Sequence, residues 1–207
     1  MSLAPYTGSR RLMRALYTLL CLLLLAFKAT AAATNYAANR ASLLDPAKLA
    51  TLGPRAGNPR VQKAVYWLAV ARQQGQKPGA LLDRPLAGKM SGDAAKLTKA
   101  ALLRNLDIAG KLGCLGADGL AEMRKGNAPT VRRGPYTGDQ LSVDHIIPRS
   151  VAPELGNVIA NLELMPQRMN AVKRDRVGER QVSHARVLHK AGLLSQGGLK
   201  AVEAASQ

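Results

Sequence analysis

Two short stretches of this chain read as β-strands, and every other periodic stretch reads as helix. Leu141–Ile147 is rich in β-branched and apolar residues and is stopped by Pro148. After a loop reaching to about Ala160, Asn161–Met165 forms the second, with Leu162 and Leu164 on one face. Pro166 suits the first position of a helix that runs to about Arg176. On it Met169 and Val172 continue the apolar stripe begun by Met165, while Glu163 is expected to alternate outward from its strand. Strand, loop, strand, helix is a ββα unit. A chain of 207 residues holds one modest core with appendages more readily than two full cores. The expected fold class is therefore α+β and mainly helical, with a C-terminal ββα module behind an N-terminal helical region.

That helical region announces its elements locally. Asn58 is a good N-cap, Pro59 fits the first helical position, and Gly75 is a plausible stop. Between them Val61, Ala64, Val65, Leu68 and Ala69 recur at helical spacing and make one apolar stripe. Tyr66 and Trp67 flank it. In a chain with 3% aromatic residues they read as core anchors rather than base-stacking platforms. A Pro/Gly-bearing connector, Lys77 to Gly92, leads to a helix opened by Ser91 or Asp93 and ended near Gly113, with Leu102, Leu106 and Ala109 on its buried face and Leu103 beside them. A third short helix spans Ala117–Lys125, and a looser helical piece lies near Ala41–Leu52. No internal repeat and no catalytic constellation stands out here, so residues 34–128 form a helical region whose role the sequence does not state. Residues 129–185 hold the ββα module, approached through the basic, turn-rich Arg132, Arg133, Gly134, Pro135 and Gly138; residues 186–207 form a helical tail.

The first 33 residues read as a cleavable export signal. Arg10, Arg11 and Arg14 form a positive start, the uncharged run Ala15–Phe27 follows, and Ala29–Ala33 are small, which places cleavage near Ala31 or Ala33. The run is 13 residues long, short of the roughly 20 needed to cross a bilayer, so no stable membrane association is expected after cleavage. The protein is then secreted or periplasmic. Ser9-Arg10-Arg11 also resembles the start of a twin-arginine signal, but the leucine-rich core fits the general route better. Four basic residues (Arg10, Arg11, Arg14 and Lys28) leave with the signal, so 26 basic residues face 13 acidic ones at a charge near +13. Such a balance favours polyanions, with nucleic acid first and an anionic membrane or wall polymer second. Of the two cysteines, Cys21 lies in the signal; Cys114 is left with no internal disulfide partner and reads as a small buried apolar side chain.

The chemistry concentrates after Pro129. The strings Val143-Asp144-His145-Ile146-Ile147-Pro148, Asn161-Leu162-Glu163-Leu164 and Met169-Asn170-Ala171-Val172-Lys173 are spaced so that Asn161 follows His145 by 16 positions and Asn170 follows Asn161 by nine. Over about 45 residues this pattern resembles the HNH endonucleases, which cut nucleic acid on a ββα-metal fold. The resemblance implies that His145 is the general base, a neutral imidazole aimed through water at the scissile phosphorus. It implies that Asp144 and Asn170 hold a single divalent ion, and that the Asn161 amide braces the loop and orients His145. The last motif position, usually histidine, is Asn170 here, a His-Asn-Asn variant. A carboxylate with an amide oxygen favours Mg²⁺ or Mn²⁺ over zinc. Pro166 and Met169 stand where many relatives place a Cys-x-x-Cys, so no structural zinc is expected.

One geometric difficulty accompanies the resemblance. Strict alternation sends Asp144 and His145 to opposite faces, so both reach one site only if the strand bends or ends between them. Lys173 and Arg174 share a helix face with Asn170 and, with Arg149, Arg168 and Arg176, are candidates to grip phosphates flanking the cut. His184 and His189, five apart, have no metal-ligand spacing and are left as surface residues; Ser142 and Ser183 have no evident base partner. The expected function is an exported Mg²⁺-dependent endonuclease acting on DNA with little sequence preference. The open alternatives are RNA as substrate, a basic nucleic-acid-binding protein that keeps the fold without turnover, and a cationic membrane- or wall-binding protein. Oligomeric state is open as well.

Overall fold

The computed structural model describes residues 57–86 and 90–207. The export signal and the helical piece near Ala41–Leu52 lie outside the described residues. Among them, no helix is long and apolar enough to cross a membrane. The chain is α+β and mainly helical.

Four helices come first: α1 (Gly57–Gln73), α2 (Pro78–Leu86), α3 (Gly92–Lys111) and α4 (Ala117–Lys125). The stripe on α1 is buried as its spacing predicts, with Val61, Ala64, Val65, Leu68 and Ala69 all in the core. Tyr66 and Trp67 are half-buried and meet edge to face, ring centroids 4.9 Å apart. The connector Lys77 to Gly92 contains a helix, α2, that its composition hid. Leu82 and Leu86, one turn apart, seat α2 in the core. Ser91 caps α3, its Oγ accepting from the Ala94 N–H at 3.3 Å. Gly126, at φ 89°, ends α4 in the left-handed conformation that favours glycine.

Two strands follow, β1 (Leu141–His145) and β2 (Leu162–Pro166). They pair antiparallel, with Leu141 opposite Pro166, Val143 opposite Leu164, Asp144 opposite Glu163 and His145 opposite Leu162. Between them run two 3-10 turns, Pro153–Asn157 and Ile159–Asn161. After β2 come α5 (Gln167–Lys173), α6 (Glu179–Lys190) and α7 (Gln196–Ala204).

One hydrophobic core joins helices to hairpin. Val61, Leu102 and Leu106 share it with Leu141, Val143, Leu162 and Leu164. A second cluster forms under the loop, where Ile147, Leu155 and Ala160 meet Val182, Leu188, Leu199 and Val202 of α6 and α7. Two strands alone bury too little to persist, and the outer polar groups of this pair are met by side chains. Gln62 Nε2 of α1 donates to the Leu141 carbonyl at 2.8 Å. On α3, Asn105 donates to the Leu162 carbonyl at 3.0 Å and accepts from the Leu164 N–H at 2.7 Å. A buried amide thus takes the place of a third strand along β2. Cys114 is buried, its Sγ lying 3.5 Å from the Thr130 carbonyl, and burial pushes its thiol up to about 11.

Three expectations from periodicity fail. Met169 and Val172 do not continue a buried stripe; they are 46% and 72% exposed, because α5 lies against the hairpin through its other face and buries no residue fully. The helix also ends at Lys173 rather than near Arg176. Glu163 does not face outward: at 8% exposure it is covered by α3 and α6 and paired with Arg104 and Arg180.

Candidate active site

The loop leaving β1 is tied to the start of β2 by one asparagine. Asn161 is fully buried, and its carboxamide spans both polar groups of Ile147. Oδ1 accepts from the Ile147 N–H at 2.9 Å, and Nδ2 donates to the Ile147 carbonyl at 3.0 Å. The Asn161 carbonyl also accepts from the Ile146 N–H at 2.8 Å. A side-chain amide reproduces a peptide's donor and acceptor, so these bonds extend the hairpin pairing past its last strand residue and fix the two residues after His145. The strand ends at His145, two residues before the Ile147 expected from Pro148, because Asn161 takes up the polar groups of Ile147 that a longer strand would have paired.

His145 is half-buried and reachable from solvent. Its Nε2 lies 3.0 Å from the Gly156 carbonyl in the first 3-10 turn. A carbonyl only accepts, so Nε2 carries the hydrogen and a neutral ring keeps its lone pair on Nδ1. Gly156 itself sits under Arg149: a Cβ there would meet the Arg149 Cδ at 3.0 Å and Cγ at 3.2 Å. Nothing in the sequence pointed to Gly156, because a backbone carbonyl leaves no mark in residue type.

Asp144 faces the other way in the register, beside Glu163. Its carboxylate is nearly buried and is met by the Lys173 ammonium, which bonds to Oδ2 and also donates to the His145 carbonyl at 2.5 Å. Asp144 and His145 are therefore linked through one cation touching the side chain of the first and the main chain of the second. Lys173 was expected on a phosphate; the structure sets it on the carboxylate. Asn170, one turn earlier on α5, is half-buried, and its side-chain amide makes no hydrogen bond among the described residues. Lys173 is the residue of α5 that reaches Asp144, and Asn170 precedes it by three positions.

Two oxygen donors meet at this corner, the Asp144 carboxylate and the His145 carbonyl, and Asn170 lies one turn before Lys173 on the same helix. Among the described residues no three His, Cys, Asp or Glu side chains cluster at one point. An ion here would draw on one carboxylate, an amide, and main-chain, water or phosphate oxygens, a set that fits a small hard cation such as Mg²⁺ or Mn²⁺. The nearly buried carboxylate already holds a positive group, so the corner has the polarity a cation needs.

Behind it, Glu163 accepts both of its hydrogen bonds from Arg180 at 2.9 Å and lies 3.2 Å from the Arg104 Nε. Burial holds the Arg104 guanidinium below its ordinary range, with Glu163 opposing and Arg180 adding to the effect. His184 and His189, left as surface residues by their spacing, are instead half-buried and bonded to carbonyls: His184 Nε2 at 3.1 Å from Ala160, His189 Nδ1 at 2.9 Å from Leu194. Burial pulls the His184 imidazole below 6.5, and Arg104 and Arg180 push the same way.

The remaining basic candidates differ in what they meet. Arg168 is engaged on its own side: its N–H donates to Asp139 at 2.8 Å and its guanidinium lies 5.8 Å from the Tyr136 ring centre. That N–H bond holds the Asp139 carboxyl below its usual range. Arg149, Arg174 and Arg176 are exposed. Asp175, between the last two, accepts from Ser150 Oγ at 2.7 Å and so ties the segment after α5 to the loop after β1. Ser142 spends its hydroxyl on the Met165 carbonyl at 3.1 Å. No protein-family model, curated protein or solved structure matches this chain.

Proposed function

We propose that this protein is an HNH-type endonuclease that hydrolyses phosphodiester bonds, in DNA with little sequence preference, using one divalent ion, and that it works in the periplasm or the medium after its signal is removed. The observation that carries the reading is the pairing, at one end of a hairpin, of a solvent-reachable imidazole whose Nε2 is held by a carbonyl with a nearly buried carboxylate that already attracts a cation. The basic charge of the chain adds to it.

In this reading Nδ1 of His145 takes the proton from the attacking water, while the Gly156 carbonyl prevents the ring from turning its other nitrogen to the task. Asn161 holds the strand end so that the base keeps its direction. Asp144 and Asn170 are the residues that would hold Mg²⁺ or Mn²⁺. When bound, the ion neutralises charge on the phosphate and on the departing 3′ oxygen. Arg149, Arg168, Arg174 and Arg176, all exposed, are the residues that would position the phosphate backbone without reading bases.

A second reading has an observation in its favour. The Asp144 carboxylate is satisfied by Lys173, which is what a metal-free, purely nucleic-acid-binding relative would show. The two separate in a plasmid-nicking assay with Mg²⁺, with and without chelator. A nuclease nicks, stops with chelator, and slows by about 10²–10⁴-fold in His145→Ala. Retention of DNA with no metal-dependent cutting at high protein concentration, or cutting unchanged in His145→Ala, sinks the nuclease mechanism.

A further inference from the structure

The geometry points to Lys173 as a built-in competitor for the metal position: its ammonium sits on Asp144 Oδ2 and the His145 carbonyl, the oxygens a divalent ion would take there, so ammonium and ion contend for them. The inference rests on the nuclease reading and adds a regulatory element to it, since metal occupancy is then set by a residue of the same helix that supplies Asn170.

The argument is one of shared ligands. Nζ of Lys173 bonds to two oxygens at once, Oδ2 of Asp144 and the His145 carbonyl. Both are hard donors of the kind a small divalent ion takes. The pair is largely withdrawn from water, the side chains of Lys173 and Asp144 being 16% and 11% exposed, so the attraction is screened far less than a surface pair. Two cations on one carboxylate oxygen in such a place repel strongly. Binding of a divalent ion at Oδ2 and the His145 carbonyl therefore competes with the ammonium. Lys173 is suited to leaving: its charge rides on a flexible four-carbon stem, and α5, anchored with no fully buried residue, leaves it room to swing toward solvent.

The expected size follows from occupancy. If the ammonium holds Asp144 nine-tenths of the time or more, the apparent dissociation constant for the ion is raised by at least about tenfold. Arg176, three positions on and exposed, carries the same charge with no hydrogen bond or ion pair to Asp144, and provides the control for long-range electrostatics.

The test is Mn²⁺ binding to the full chain, read by loss of the free-ion electron paramagnetic resonance signal, in wild type, Lys173→Met, Lys173→Gln, Arg176→Gln and Asp144→Asn. Glutamine keeps a polar contact to Oδ2 and serves if the methionine variant does not fold. The expected result is Mn²⁺ bound about tenfold or more tightly by the Lys173 variants, a change of less than about twofold in Arg176→Gln, and loss of binding in Asp144→Asn. Unchanged or weaker binding in both Lys173 variants, with Asp144→Asn still abolishing it, overturns the competition and leaves the nuclease reading standing. Equal tightening in Arg176→Gln overturns it too, by reducing the effect to overall charge. Absence of binding at millimolar Mn²⁺ in wild type and in both Lys173 variants sinks the metal site itself, and the inference with it.

Discussion

Arg174 is the one non-glycine residue with positive φ among the described residues, at φ 51° and ψ −152°. It closes α5, its N–H donating to the Asn170 carbonyl at 3.2 Å. A side chain in that region costs on the order of 1–3 kcal/mol, and the surroundings must hold it there. The Asp175–Ser150 bond, next in the chain, is the visible constraint. Arg174→Gly relieves the strain at the expense of a freer unfolded chain, and is expected to stabilise the fold by about 1 kcal/mol in urea denaturation. A lower midpoint would mean that the arginine side chain anchors the turn. The same residue shows a limit of periodicity: helix spacing carries on to Arg176, whereas a hydrogen bond to a loop 25 positions earlier stops the helix at Lys173.

At the scale of elements, the hairpin depends on side chains of the helical region. Asn105 supplies both a donor and an acceptor to β2, and Gln62 a donor to the first residue of β1. Asn105→Ala leaves the Leu164 N–H buried without its partner and the Leu162 carbonyl with only the long Arg104 Nη2 contact at 3.5 Å. An orphaned buried group costs roughly 1–3 kcal/mol, so the variant is expected to lose about 1–3 kcal/mol of unfolding free energy, measured by denaturant titration. A loss under about 0.5 kcal/mol would show that water reaches the strand edge. Helices α1 and α3 thereby acquire the role that residue types alone left open: they complete the sheet that carries Asp144 and His145. The stripes that place them in the core were legible, because apolar spacing is a property of one helix; the polar edge contacts were not, because Asn105 and Leu162 are 57 positions apart.

For the whole molecule, the critical junction is where α3, β2 and α6 meet around Glu163, Arg104, Arg180 and His184. His184 is half-buried there; desolvation lowers its pKa most, Arg104 on α3 and Arg180 on α6 add to the effect, and the Ala160 carbonyl and Glu163 oppose it. Its folded pKa is lowered, so the native state resists protonation while the unfolded chain accepts a proton near pH 6.5. The sign follows: the neutral ring imposes no penalty above that pH, and stability falls as pH drops below it toward the folded pKa. Melting temperature should decline over this range in wild type and decline less in His184→Gln, which keeps a donor for the Ala160 carbonyl. Parallel pH profiles for the two proteins would show that His184 does not couple folding to pH.

Sequence alone determined what is local. The helix cap at Ser91, the apolar stripe of α1, the existence of two short strands and the spacing of Asp144, His145, Asn161 and Asn170 are all set by neighbours within one element or by fixed offsets along the chain. Only tertiary structure decided what each polar group meets: Glu163 turned inward between two arginines, Met169 and Val172 left to solvent, His145 held by the Gly156 carbonyl, and the Lys173 ammonium on Asp144. The division has a physical cause. Period and capping follow from backbone geometry, which a few consecutive residues specify. A charge or hydrogen bond is settled by whichever group the packed core brings within about 3 Å, and that choice belongs to the assembled molecule.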